Sequence, residues 1–217
     1  MGVETFLFSY ETLPFSTSSY PDTIHVNPLE ISFLQTSINF TQYDYIIVTS
    51  KQAVKALSYY DKEDYQELQG VCISKATAKS FEDIGAKVLE IGGGYGDDLS
   101  QIISSYPKET KWLYLRAKVV ASNFAEFSRA NGYSIDEAIV YESKCSQSIQ
   151  SVKIPPKATL IFTSPSSVKC FLKYHELKAD KQVVVIGKTT AKALPSGIKT
   201  LIAQEPSIKS CLESIDH

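Results

Sequence analysis

The sequence predicts an α/β protein with parallel sheets flanked by helices, and three observations support that class. Short β-branched runs such as residues 46–48 and 183–186 are too apolar to be half exposed, which is typical of buried strands in a parallel sheet. A hydroxyl-rich turn and then a helical stretch follow such runs, and strands that alternate with helices imply α/β architecture. The third observation is an internal repeat, which predicts two units of similar build.

The repeat pairs two segments of the chain in the same order. Residues 45–57 match residues 159–171 at a shift of 114 positions, with five identities in thirteen. Residues 73–79 match residues 186–192 at a shift of 113 positions, with five identities in seven. Because chance similarity would rarely keep both the order and nearly the same shift, we interpret the segments as copies of one strand–helix arrangement.

Other strands and helix starts follow from local signals. Strand patterns cover residues 5–10, 24–26, 112–115 and 135–141. A helix over residues 119–131 is expected between the last two strands, with Gly132 as its stop. The repeated turns offer hydroxyl residues as helix N-caps, namely Thr49-Ser50, Ser164 before Pro165, and Thr189-Thr190.

A glycine-rich stretch at residues 92–96 matches no phosphate-binding motif. It lacks the GK[ST] ending of a P-loop and does not fit the dinucleotide fingerprint G-x-G-x-x-G. We expect a surface loop there, followed by a helix from Asp98. Asp97 and Asp98 would stabilise that helix start by complementing the helix dipole.

Residue counts decide how the two units share the chain. The first repeat copy lies within residues 38–142, whereas the second starts near Thr159 and leaves only 59 residues, which is small for a domain. The N-terminal strands could complete that second unit. The predicted organisation is a discontinuous domain of residues 1–34 and 149–217, an inserted domain of residues 38–142, and connectors at residues 35–37 and 143–148.

Composition argues against nucleic acids and membranes as partners. The 217 residues carry a formal net charge of −2, and the sequence pI is about 6.0, whereas nucleic-acid-binding domains are usually basic. No run approaches the ~18 apolar residues of a membrane helix. The first residues lack the basic region and apolar length of a signal peptide. We therefore expect a cytoplasmic protein.

Cysteine and histidine positions give no local metal or triad pattern. The four cysteines, at 72, 145, 170 and 211, lack CxxC spacing, and the three histidines are scattered. Reduced, mostly buried thiols are expected. No metal and no other cofactor is predicted.

Hydroxyls and basic residues cluster in the turns that follow the predicted strands. In open parallel sheets, ligands bind beyond the carboxyl ends of the strands. Hydroxyls and helix N-terminal N–H groups together make an anion site, and lysines lie beside these turns. Two such edges facing each other would form a cleft for a polyanion. The alternative interpretation is that the hydroxyls only cap helices and the lysines are solvated.

The same turns resemble the motifs of the uroporphyrinogen-III synthase family. The matching segments are Val48-Thr49-Ser50 with Ala53-Val54, residues 161–166 with Val168, residues 185–191 with Ala193-Leu194, and Val140-Tyr141-Glu142. Two turns depart from the family pattern. The turn after residues 112–115 reads Arg116-Ala117-Lys118, where the family often has a glycine and then an arginine, and Ser74 replaces a motif glycine.

The resemblance implies two flavodoxin-like α/β domains joined by a two-stranded connector, with the active site in the cleft between them. It implies a monomer without a cofactor that closes linear hydroxymethylbilane to uroporphyrinogen III, with inversion of ring D and loss of water. Tyr141 would be the catalytic residue. The substrate-binding residues would be Thr49, Ser50, Lys75, Thr77, Arg116, Thr163, Ser164, Ser166, Lys188, Thr189 and Thr190.

Two other functions remain compatible with the residue patterns themselves. One is a non-catalytic two-domain module that binds a small anion and senses it through hinge closure. The other is an α/β isomerase that acts on sugar phosphates.

Overall fold

The computed structural model describes residues 3–10, 22–120 and 122–215. In chain order the elements are β1 (Thr5–Phe8), β2 (Thr23–Val26), β3 (Leu29–Phe33), β4 (Tyr45–Val48), α1 (Lys51–Leu57), α2 (Lys62–Tyr65), β5 (Gln69–Cys72), α3 (Lys75–Asp83), β6 (Lys87–Ile91), α4 (Gly96–Ser104), β7 (Lys111–Ala117), α5 (Phe124–Ala130), β8 (Ser134–Cys145), β9 (Thr159–Phe162), α6 (Pro165–Tyr174), β10 (Gln182–Val185), α7 (Lys188–Ala191), β11 (Thr200–Ile202) and α8 (Ile208–Glu213). Short 3-10 helices lie at Phe40–Gln42 and Gln147–Ser151. The chain is therefore mixed α/β, as predicted.

The chain divides into two compact units, each with its own sheet. One unit contains Met1–Glu30 and Lys144–His217, and the other contains Ile31–Ser143. The chain passes from one unit to the other within β3 and again at the end of β8, and these two strands are neighbours in one sheet.

The five-stranded sheet of the discontinuous unit has the order β11-β10-β9-β1-β2, and its strands pair in parallel. Successive residues of each central strand enter different cores. Phe8 and Phe162 pack on one face with their ring centroids 5.2 Å apart, while Leu7 and Ile161 belong to the core on the other face. Burial on both faces explains why these strands read as continuous apolar runs.

The six-stranded sheet of the other unit has the order β3-β8-β7-β4-β5-β6. The β8–β7, β7–β4, β4–β5 and β5–β6 pairs are parallel. Ile46 and Val48 pack with Phe81 of α3 on one face, whereas Ile47 packs with Trp112 and Tyr114 on the other. This sheet too is covered on both faces.

The two repeat copies occupy matching places in the two sheets. β4 leads into α1 and pairs in parallel with β5, which leads into α3. β9 leads into α6 and pairs in parallel with β10, which leads into α7. The prediction of two similar strand–helix arrangements is confirmed.

The helix predicted over residues 119–131 begins later than expected. α5 starts at Phe124, while Val119 and Val120 lie exposed in the preceding loop. Gly132 does end the helix, with a φ of +89° that favours glycine. Asn123 stands at the N-cap position without a side-chain capping bond, and the Ser122 Oγ accepts the Phe124 N–H at 3.4 Å.

Thr189 and Thr190 do not cap a helix, contrary to the prediction. They lie inside α7, and Gly187 is its N-cap. The repeat explains the difference, because Gly187 aligns with Ser74, which is the N-cap of α3. Ser50 and Ser164 do cap α1 and α6 as predicted, and Pro165 is the first residue of α6.

The expectation of four reduced thiols is wrong for two cysteines. Cys145, at the end of β8, is bonded to Cys170 on α6, and their Cα atoms lie 5.1 Å apart. Cys72 and Cys211 are buried thiols. Because 25 residues separate the two cysteines, their spacing matches no local motif. The packing of α6 brings them together.

None of the helices in the described residues is both long and apolar enough to cross a membrane.

Candidate functional site

Two consecutive hydroxyl residues at the end of β4 each contact a tyrosine. The Ser50 Oγ lies 2.8 Å from the Tyr141 Oη, and the Thr49 Oγ1 lies 3.0 Å from the Tyr114 Oη. Tyr141 packs on the core face that contains Val48, while Tyr114 belongs to the opposite core. The carboxyl edge of this sheet therefore carries one hydroxyl–tyrosine pair toward each face.

Helix capping fixes the Ser50 hydroxyl. Ser50 has an extended backbone, with φ −157° and ψ 153°, and its Oγ accepts the Ala53 N–H at 3.1 Å. This is the geometry in which a serine satisfies one of the N–H groups that a helix start leaves without a partner. The side chain that caps α1 is thus also the one that contacts Tyr141.

A shift in strand register directs Tyr141 toward the Ser50 side of the sheet. Arg116 pairs with Ile139, but the next residue, Ala117, pairs with Tyr141, so Val140 is the extra residue on β8. Val140 and Tyr141 consequently both reach the core that contains Val48. Bulges of this kind redirect side chains and are common beside active sites.

Tyr114 is a polar member of the site edge that sequence reasoning missed. Its side chain is 2% exposed, and burial raises the pKa of its phenol, while the bond to Thr49 acts in the opposite direction. The apolar strand around Tyr114 gave no sign of a polar role, because the sequence alone does not distinguish a tyrosine in such a run from a core aromatic residue.

Arg116 forms an ion pair and hydrogen bonds with residues of its own unit. Its Nε contacts a Glu137 carboxylate oxygen, and its NH1 group donates to the Ala117 carbonyl at 2.9 Å. The NH2 group of Arg129 donates to the other oxygen of Glu137 at 2.7 Å. A cavity of about 210 Å³ adjoins Tyr114, Arg116 and Glu137.

Lys75 and Thr77, the other predicted residues of this unit, differ in accessibility. Lys75 is exposed at the start of α3. Thr77 is only 3% exposed, and its Oγ1 lies 3.2 Å from the Oγ of Ser74. Lys75 is therefore able to meet a ligand, whereas Thr77 supports the helix start.

In the discontinuous unit, the turn after β9 holds three of the predicted residues. The Thr163 hydroxyl donates to the Phe8 carbonyl at 3.2 Å, which ties the ends of β9 and β1 together. The Ser164 Oγ accepts the Ser167 N–H at 3.1 Å as the cap of α6. Ser166 is exposed on the first turn of that helix.

The turn after β10 holds the remaining three predicted residues. Lys188 and Thr189 are exposed at the start of α7, and Thr190 is 2% exposed. Because β9 and β10 are parallel neighbours, this turn and the one after β9 lie on the same edge of the sheet. Within each unit, the predicted residues therefore lie along a single edge of that unit's sheet.

Groups of three or more His, Cys, Asp or Glu side chains that could hold a metal ion do not occur in the described part of the chain. Hydroxyls, amide N–H groups and lysines lie at both sheet edges and suit an anionic ligand. One edge also carries the Arg116–Glu137 ion pair.

Comparison with known proteins places this arrangement in a family. The family model described as uroporphyrinogen-III synthase HemD matches residues 22–213, which include both sheet edges and Tyr141. The chain belongs to the uroporphyrinogen-III synthase family. Enzymes of this family are cyclising hydro-lyases of tetrapyrrole biosynthesis, and the resemblance seen in the sequence is confirmed.

Solved uroporphyrinogen-III synthase structures are similar over nearly the full chain. The synthetase from Helicobacter pylori shares 27% identity and a TM-score of 0.79, with 99% of this chain and 98% of that chain covered. A mutant synthase from the extremely thermophilic bacterium Thermus thermophilus shares 12% identity and a TM-score of 0.63, with the same coverage, and shows the fold alone. No curated protein sequence gave a significant match.

Proposed function

We propose that this chain is a uroporphyrinogen-III synthase that converts hydroxymethylbilane to uroporphyrinogen III, with inversion of ring D and loss of water. The family match across residues 22–213 carries the proposal. The hydroxyl-rich sheet edges support it, because the substrate is a polycarboxylate and the edges offer donors and lysines rather than a nucleophile–base pair.

Substrate binding is assigned by accessibility. The exposed residues Lys75, Ser166, Lys188 and Thr189 are proposed to contact carboxylates directly. The predicted residues whose side chains are buried or already bonded within the protein are proposed to hold the turns that present backbone N–H groups. These residues are Thr49, Ser50, Thr77, Arg116, Thr163, Ser164 and Thr190. Orientation of a reactive substrate by such fixed groups lowers the barrier without covalent chemistry.

The proposed chemistry begins with departure of the substrate hydroxyl. Tyr141 donates its phenolic proton, the carbon–oxygen bond breaks, and water leaves an electrophilic azafulvene. The substituted carbon of ring D attacks the azafulvene methylene to give a spiro intermediate. The bond from that carbon to its original methylene bridge then breaks, and the free α-carbon of ring D bonds to the released methylene, which leaves ring D inverted. Loss of a ring proton restores the aromatic pyrrole and balances the proton that Tyr141 gave.

The finer organisation is part of the same proposal. We assign two flavodoxin-like domains, with residues 1–34 and 149–217 in one and 38–142 in the other, joined by a two-stranded connector that includes residues 35–37 and 143–148. The pairing of β3 with β8 supports that connector. A monomer in the cytoplasm, without a cofactor or a nucleic-acid or membrane partner, completes the assignment.

Isomer analysis tests the function. Purified protein receives freshly prepared hydroxymethylbilane, and the products are oxidised and separated as uroporphyrin isomers. Type III product above the spontaneous background supports the synthase. Formation of type I alone would contradict it.

A further inference from the structure

We propose that Ser50 is a positioning residue for Tyr141, acting on the reaction through the phenol rather than by contact with substrate. The inference rests on the proposed function and adds a specific role within it. Its basis is the 2.8 Å separation of the Ser50 Oγ and the Tyr141 Oη.

The Ser50 hydroxyl cannot easily move away from this position. Its oxygen accepts the Ala53 N–H at 3.1 Å, so its rotamer is tied to the start of α1. A hydroxyl has one hydrogen and two acceptor lone pairs, which lets it serve the helix and the phenol together. The helix start therefore acts as the fixed point against which the phenol is held.

The hydrogen bond also suits the chemistry of a proton donor. When Tyr141 gives its proton to the leaving group, a phenolate forms, and the Ser50 hydrogen can turn toward that oxygen. A hydrogen bond to the charged form favours it. Ser50 would thus stabilise the conjugate base at the moment when it appears.

Two features of the strands make the pairing specific. The register shift at Val140 brings Tyr141 to the Val48 face, where α1 and its cap lie. The neighbouring hydroxyl, Thr49, is committed to Tyr114 at 3.0 Å. Each tyrosine at this edge therefore has its own hydroxyl partner.

The test separates capping from positioning. Ser50→Gly removes the hydroxyl, and glycine is itself a tolerated N-cap that costs the helix little. Ser50→Thr keeps both hydroxyl and cap. Asn39→Gly is the matched control, since Asn39 accepts the Thr41 N–H as the N-cap of the Phe40–Gln42 helix, which precedes β4 at its opposite end.

We expect Ser50→Gly to lower kcat about tenfold, with KM little changed, because one net hydrogen bond is lost in the transition state. Ser50→Thr should restore most of kcat, and Asn39→Gly should leave it unchanged. In a Tyr141→Phe background, Ser50→Gly should cause no further loss, since the partner hydroxyl is already absent. Losses that multiply in the double variant, or an unchanged kcat in Ser50→Gly, would overturn the proposal.

A spectroscopic measurement keeps the test independent of turnover. The ¹³Cζ signal of Tyr141 can be assigned by its absence in Tyr141→Phe. It should shift in Ser50→Gly and stay in place in Asn39→Gly. An unmoved signal in Ser50→Gly would contradict the contact, whereas type I product from the unmodified protein would contradict the proposed function instead.

Discussion

Arg116 and Glu137 form an ion pair between neighbouring strands, with both side chains 19% exposed. Glu137 also accepts from Arg129, so one carboxylate lies between two guanidinium groups. The carboxylate partly compensates the charge of a basic side chain held in this way, and the side chain is less able to reorient toward a ligand. The pair therefore favours a structural role for Arg116 at the site edge.

Replacement of Arg116 should accordingly affect stability more than substrate capture. Arg116→Met leaves Glu137 with one cation and should lower the free energy of unfolding by ~1.5–3 kcal/mol, the range for a hydrogen bond to a charged group. Urea unfolding measures that loss. Lys188→Met is the control and should show the reverse pattern, a raised KM with unchanged stability. A large rise in KM for Arg116→Met at normal stability would assign Arg116 to the substrate.

Sequence patterns were sufficient to predict the fold where one residue type determines local structure. The apolar run of β4 predicted a strand buried on both faces, and Ser50 and Ser164 predicted helix starts, because these signals act within a few residues. Val119 and Val120 misled the same reasoning, since an apolar pair fits a helix as well as a loop.

Contacts between distant residues lay outside the reach of pattern reasoning. The Ser50–Tyr141 bond depends on a register shift in β8, and the Thr49–Tyr114 bond depends on how β4 lies beside β7. The Cys145–Cys170 disulfide depends on the packing of α6. Such relations arise from tertiary structure, and no spacing along the chain encodes them.

Exposure distinguishes the two threonines of α7. Thr189→Val should lower kcat/KM about tenfold, because an exposed hydroxyl that donates to a carboxylate contributes ~1.5–3 kcal/mol. Thr190→Val, at a site that is 2% exposed, should change stability rather than kcat/KM. Added salt should weaken substrate capture in the unmodified protein, since charges are screened over ~8 Å at physiological ionic strength. Equal kinetics in Thr189→Val, together with salt-independent capture, would contradict direct contact.

Thiol counting should separate the two kinds of cysteine. The unfolded, unreduced chain should show two reactive thiols, Cys72 and Cys211, and four after reduction.

Burial raises the pKa of Cys72 to about 12 and that of Cys211 to about 11, so the thiols of the native protein should react slowly at pH 8. Reduction should lower the free energy of unfolding by about 3.5 kcal/mol for a loop of this length. Four thiols before reduction would contradict the Cys145–Cys170 disulfide.

Alkaline pH should destabilise the protein through buried phenol and thiol groups. Burial and then the bond to Glu90 raise the pKa of Tyr106 to about 12, above the ordinary 10 of an unfolded tyrosine. Between these values the unfolded chain binds fewer protons than the native one, so stability is complete below pH 10 and falls as pH rises toward 12. Tyr106→Phe should reduce that fall in urea unfolding. Tyr95→Phe, at a side chain that is 75% exposed, is the control and should not.

Tyr141→Phe isolates the phenol group, because it keeps the ring and removes only the hydroxyl. A phenol is neutral at pH 7 and can donate to the departing hydroxyl without adding negative charge beside a polycarboxylate. Acid assistance of this kind contributes ~10²–10⁴-fold, and the low end is expected since the substrate also ionises unaided. We therefore expect kcat to fall about 10²-fold, with product still mostly type III and little change in Tm.

The isomer ratio and the melting curve of Tyr141→Phe distinguish acid catalysis from other roles of the same side chain. Tyr141 packs against the core that contains Val48 and Val140, so the ring alone could serve packing, and full activity of the variant would assign it to that role. A shift to type I product would mean that the hydroxyl orients ring D, since spontaneous closure gives the non-inverted isomer. A large fall in Tm would point to the Ser50 bond as a support of β8 and α1. Reduced turnover with an unchanged isomer ratio and normal melting is the outcome that only a proton donor produces.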